Sequence, residues 1–206
     1  MKLLAFVDLH ADESFFKALK KKVSKQKPDA IICAGDFTSF GSGTKTWLKK
    51  LESFKIPTFI IPGNHETEEE LIIYTKNLKY VKNIHLKSHL FGDVLFIGCG
   101  GGGLTEAHAA FEQSEKEFSK DIKKLKIKDK RHKIVLVVHQ PPYKTKLDYL
   151  WWMKDYAGST SIRKFIEKYQ PSLCITGHLH ENFNKEDKIK NTKIINPGPK
   201  GKIIKL

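Results

Sequence analysis

Five short apolar runs, each delivering Asp, Asn or His at its carboxyl end, restrict this chain more than any other feature. The runs are 3–7 before Asp8, 30–34 before Gly35-Asp36, and 58–61 before Pro62-Gly63-Asn64-His65. Two more follow, 134–138 before His139 and 173–176 before Gly177-His178-Leu179-His180. Runs of this length, rich in Ile, Val and Phe and bounded by Gly or Pro, read as buried strands. Helix-like stretches alternate with them at 13–25, 44–54, 68–77, 111–125 and 161–169, with Ser159 or Thr160 as N-cap of the last. Such alternation predicts an α/β fold with mainly parallel pairing. Segments 94–98, 192–195 and 202–206 add strands for a second, partly antiparallel sheet.

At 206 residues, with 40% hydrophobic residues and 13 phenylalanines, the chain has material for one core. We therefore expect a single domain, 1–206. No apolar run reaches the roughly 18–20 residues that cross a bilayer, so no membrane role is expected. The apolar start, 1–10, carries Asp8 and reads as a first strand rather than a leader. Cys33, Cys99 and Cys174 are an odd number inside or beside apolar runs, which predicts buried thiols and a reducing, cytoplasmic setting. The net charge of +14 favours anionic partners. Most lysines, however, fall in helix-like stretches at 17–27 and 116–133 or near the C-terminus, as solvated faces do. Nucleic acid is therefore allowed as a partner but not favoured.

Ligands in open α/β sheets gather beyond the carboxyl ends of strands. Convergence there would unite Asp8, His10, Asp36, Asn64, His65, His139, His178 and His180. Carboxylate, imidazole and amide together suit Mn, Fe or Zn better than thiolate-seeking ions. A carboxylate such as Asp36 can bridge two ions. Two dications, two aspartates and one hydroxide then leave a net charge of roughly +1, which draws in phosphate. A histidine not needed as a ligand would be free to protonate a departing oxygen.

Asp8-Leu9-His10, Gly35-Asp36, Gly63-Asn64-His65-Glu66, His139 and Gly177-His178-Leu179-His180 resemble, in order and spread, the motifs of the calcineurin-like metallophosphoesterases. Asn196-Pro197-Gly198 and the glycine run 100–103, a turn near the site, are similar to that family as well. The resemblance implies a four-layer sandwich of two mixed β-sheets flanked by α-helices. It implies one metal on Asp8, His10, Asp36 and His180, and a second on Asp36, Asn64, His139 and His178, with hydroxide between them. Mn is the first choice of metal, with Fe, Zn or Ni as alternatives. His65 would steady the transition state or protonate the leaving group, Asn64 would share in catalysis, and Asn64, His65 and His139 would contact substrate. Lacking a cap domain, the chain looks like small members related to cyclic-nucleotide phosphodiesterases. The substrate implied is a phosphate ester, with a phosphodiester or cyclic nucleotide preferred to a monoester; a homodimer is left open by analogy. Ala11 and Glu66 stand where many relatives have glycine and aspartate; both are expected to touch no ligand and to affect only tuning, Glu66 through the orientation of His65.

His85, His89, His108 and His132 match no ligand position and are expected at the surface or satisfied in the core, with His108 a candidate for the pocket rim. Tyr143, Tyr149, Trp151, Trp152 and Tyr156 form an aromatic stretch that reads either as packing or interface, or as a wall for a nucleobase. Asp148 beside them is a candidate for substrate contact or for supporting the site. Two rival functions follow: a nuclease, prompted by the charge, and a non-catalytic scaffold that keeps the fold.

Overall fold

The computed structural model describes residues 1–102, 109–128 and 132–206. Alternate residues of the central strands enter different cores, which is why the strands read as continuous apolar runs rather than alternating ones. In β1 (Lys2–Phe6), Leu3 and Ala5 face inward between two sheets, while Leu4 and Phe6 face outward against helices. The same division holds in β2 (Ala30–Cys33), where Ala30 and Ile32 oppose Ile31 and Cys33.

The first sheet adds β3 (Thr58–Ile60), β4 (Val81–Asn83) and β13 (Lys202–Lys205) in the order β13-β1-β2-β3-β4. Its pairs are parallel except β13, which runs antiparallel to β1 with Ala5 opposite Lys202. The second sheet contains β5 (Lys87–Phe91), β6 (Val94–Cys99), β7 (Lys133–Val138), β10 (Leu173–Ile175), β11 (Glu186–Ile189) and β12 (Thr192–Ile195). Its order is β11-β12-β10-β7-β6-β5, antiparallel at both edges and parallel within. A short hairpin, β8 (Tyr149–Leu150) with β9 (Asp155–Tyr156), stands apart.

Helices close both outer faces. α1 (Glu13–Gln26), α2 (Thr44–Glu52) and α3 (Glu68–Thr75) cover the first sheet through Phe16, Leu19, Trp47, Leu48, Leu51 and Leu71. α4 (Ala109–Lys128) and α5 (Thr160–Tyr169) cover the second through Phe111, Phe118, Ile122, Phe165 and Ile166. The four-layer sandwich expected from the motifs is the fold observed. Local chemistry sets the helix starts: Asp12 accepts from the amides of Ser14 and Phe15, and Ser159 caps α5 by accepting from Ile162 N. α3 ends at Thr75, two residues short of the expected span, while α4 begins earlier and runs longer than expected.

All three cysteines are free and buried, and burial pushes the Cys174 thiol well up. Among the described residues, no helix is long and apolar enough to cross a membrane.

Candidate metal centre

The carboxyl ends of β1, β2, β3, β7 and β10 meet at one edge of the sandwich. There the loops leave ordinary backbone geometry: Asp8, His10, Ala11, Asp36 and His178 all have positive φ, between 47° and 70°. Each costs on the order of 1–2 kcal/mol for an L-residue. Hydrogen bonds hold the loops side by side, from Asp8 N to Gly35 O, His10 N to Asp36 O, and Gly177 N to His139 O. Close approach explains the glycines of the motifs. A Cβ on Gly63 would lie 1.9 Å from Asp36 Oδ1, and one on Gly177 would lie 2.1 Å from Val7 Cγ2.

All eight side chains predicted to converge do so. His10 Nε2 and His180 Nε2 are 3.0 Å apart, and His180 Nε2 lies 3.9 Å from Asp8 Oδ1. Asp36 Oδ2 lies 3.3 Å from His139 Nε2 and 4.0 Å from both His10 Nε2 and His65 Nε2. Asn64 Oδ1 lies 3.1 Å from His139 Nε2 and 2.9 Å from His178 Nδ1. Three overlapping groups, Asp8-His10-His180, His10-Asp36-His65 and Asp8-Asp36-His139, have the donor-atom spacing that holds a cation.

Hydrogen bonds assign the tautomers. His139 Nδ1 donates to Ala34 O at 2.9 Å, so the lone pair of the neutral ring sits on Nε2 and faces Asn64 Oδ1. With the ring neutral, Nε2 and Asn64 Oδ1 present two lone pairs 3.1 Å apart that a bound cation would accept; without one, a proton on Nε2 takes that place. Ligand atoms about 2.1 Å from an ion at right angles lie roughly 3 Å apart, the separation found here. Asp8 Oδ2 accepts from His178 N, while Asp8 Oδ1 is buried without a hydrogen-bond partner, a further place where a cation fits. His65 is opposite in sense: its Nδ1 accepts from Phe40 N at 3.0 Å, which leaves the proton on Nε2, the atom facing Asp36.

Burial pushes the Asp8 carboxyl up to about 7, and the neighbouring Asp36 adds to it. Burial pushes Asp36 up too, but the His139 hydrogen bond and charge outweigh it and hold the group at about 2. His139 is lowered by burial yet raised more strongly by its bond and attraction to Asp36, to about 9. Burial and the His139 charge depress His178 to about 4. The pocket thus opposes ionised Asp36 to cationic His139 when no other cation is there.

A family model for calcineurin-like phosphoesterases matches residues 1–182.

The chain belongs to that family.

An uncharacterized protein of Methanocaldococcus jannaschii, MJ1162, is 33% identical over 204 residues, covering 97% of this chain and 89% of its own length. A probable glycerophosphodiester phosphodiesterase of Arcobacter nitrofigilis is 27% identical over 168 residues, 76% of this chain; the match spans 58% of that relative. The crystal structure of TT1561 of Thermus thermophilus superposes with a TM-score of 0.74 at 17% identity, over 96% of this chain and 88% of that one.

Some features of this phosphoesterase escaped the sequence. Glu66, expected to touch no ligand, accepts from Asp36 N, Gly63 N, Thr38 N and Thr38 Oγ1, tying the β2 and β3 loops together. Its hydrogen bonds thus go to the Asp36 backbone and not to the His65 ring. Phe40 supplies the amide that sets His65, and its ring stacks on the imidazole at 4.2 Å. Only an exposed Phe following a Gly-Asp motif could have hinted at it. Asp148 contacts its own loop instead of the pocket, accepting from Lys144 N, Thr145 N, Thr145 Oγ1 and Gly158 N. His85 is buried, accepting from Gly100 N, and His89 packs on Phe59. Gly100 and Gly101 pack on Pro62, ahead of Asn64, whereas Gly103 and His108 lie outside the described residues. Trp151 and Trp152 are exposed at the β8–β9 hairpin, and the Trp152 indole donates to Glu181 beside His180.

Proposed function

We propose that this phosphoesterase hydrolyses phosphodiesters, cyclic nucleotides included, using two divalent ions, with Mn first and Fe, Zn or Ni as alternatives. Asp8, His10, Asp36 and His180 would hold one ion; Asp36, Asn64, His139 and His178 would hold the other. When bound, the pair neutralises phosphoryl oxygens and brings the pKa of water toward 7. The observation that carries the reading is the convergence of donor atoms in the groups Asp8-His10-His180, His10-Asp36-His65 and Asp8-Asp36-His139, with Asp8 Oδ1 buried and unpartnered among them. Ala34 O keeps the His139 lone pair turned inward, an orienting contact of the kind that supports metal affinity. His65 carries its proton on Nε2, facing the pocket, where it donates to the departing alcohol oxygen. The Arcobacter nitrofigilis relative, a probable glycerophosphodiester phosphodiesterase, favours a diester over a monoester.

A chromogenic diester and a chromogenic monoester, each assayed with Mn, Fe(II), Zn and Mg, test this reading. We expect metal-dependent turnover with the diester faster. Asp36→Ala removes a group shared by both ions and should cost at least about 10³ in kcat, and His65→Ala about 10². No turnover with any ion sinks the reading and leaves a scaffold. A faster monoester sinks only the diester preference.

A further inference from the structure

We propose that Phe40 is a specificity-determining residue of this site, a binding face for phosphodiesters whose departing alcohol carries a planar aromatic group such as a nucleobase. The inference rests on the phosphoesterase reading and deepens it. Phe40 is the most exposed large apolar side chain described, at 84%. It also has φ of 48°, a conformation that a side chain with a Cβ enters only at a cost. The tight turn that presents it is closed by Ser42 N donating to Ser39 O. Exposure and strain both disfavour an aromatic ring at this position, so folding does not account for it.

The ring's place does. It lies nearly parallel to His65, 24° between planes, and the Phe40 amide holds the same imidazole. From Phe40 the rings continue across the pocket: His65 to His10 at 4.6 Å, His10 to His180 at 4.9 Å, and His180 to Phe183 at 5.0 Å. A departing alcohol oxygen that takes the His65 proton leaves beside an imidazole on which Phe40 is stacked, 4.2 Å between centroids. The exposed ring offers a planar substituent on that oxygen a surface to stack on, and such stacking is tolerant of which base is present.

The test separates the ring from the amide. Phe40→Gly keeps the N–H that sets His65 and relieves the positive φ, while removing the ring. Selectivity is read as kcat/KM for a dinucleoside phosphate over kcat/KM for a glycerol phosphodiester, whose departing alcohols are of similar acidity. We expect the ratio to fall about tenfold in Phe40→Gly, mainly through KM, and to return in Phe40→Trp. An unchanged ratio, with both substrates losing equally, overturns the proposal and leaves Phe40 only a support for His65. A wild type that cleaves neither diester with Mn, Fe(II), Zn or Mg defeats the phosphoesterase reading instead. Saturation transfer from protein to the base protons of the dinucleoside phosphate then still decides on Phe40: loss in Phe40→Gly supports the proposal, and persistence overturns it.

Discussion

At the scale of single residues, the site trades stability for readiness. Asp8 keeps its proton in the folded chain up to about pH 7, because burial and Asp36 oppose its charge. In the unfolded chain the group ionises near pH 3.9. Between those values, unfolding releases a proton, so stability is fully present below about pH 3.9 and falls as pH rises toward 7. The loss is roughly 4 kcal/mol at most, at about 1.4 kcal/mol per pKa unit. Asp8→Asn keeps an acceptor for His178 N but cannot ionise. In chelator, urea midpoints of the variant should therefore decline much less between about pH 4 and about pH 8 than those of wild type. Equal declines would show that Asp8 is not the strained group.

Among the elements, the decisive joint is between the loops after β2 and β3. Glu66 lies just before α3 and satisfies three backbone amides and one hydroxyl from Asp36, Thr38 and Gly63. Burial and Asp36 both raise its pKa, so these donors are what hold it in place. Glu66→Ala leaves them unpaired in the interior and should cost about 2–4 kcal/mol. Because Asp36 N is one of the donors, the variant should also bind Mn more weakly, by about tenfold in calorimetry. A variant as stable as wild type would show water replacing the carboxylate. Elsewhere the elements follow simpler rules, with caps at Asp12, Thr67 and Ser159 starting helices whose apolar faces the sheets already require.

For the whole molecule, the pocket draws on both halves of the sandwich. Asp8, His10, Asp36 and Asn64 follow strands of the first sheet, and His139, His178 and His180 follow strands of the second. A cation bound among them would staple the sheets and stabilise only the folded state. At a hundredfold excess over Kd the gain is about 2.7 kcal/mol, read as a rise in Tm of several degrees for a chain of this size. Chelation should reverse it, and Asp36→Ala should abolish it. An unchanged Tm with Mn, Zn and Fe(II) alike would remove the metal centre.

Much of this was written locally. Apolar runs buried on both faces, such as 30–34 and 134–138, announce parallel strands, and the Asp, Asn and His residues behind them announce one pocket, because strand ends of a sheet share an edge. The five ligand-bearing strands, the helices between them and the eight converging side chains were legible for that reason, whereas β4, β5, β8, β9 and β11, short or half-exposed edge and hairpin strands, were not. What the amino-acid order could not express is contact across distance. Glu66 reaches Asp36 over 30 positions and Phe40 reaches His65 over 25. Which nitrogen of His139 or His65 carries the proton depends on a carbonyl or an amide from another loop. Type and period of each element are local properties of a chain; partnership, tautomer and strain exist only once the sheets have packed.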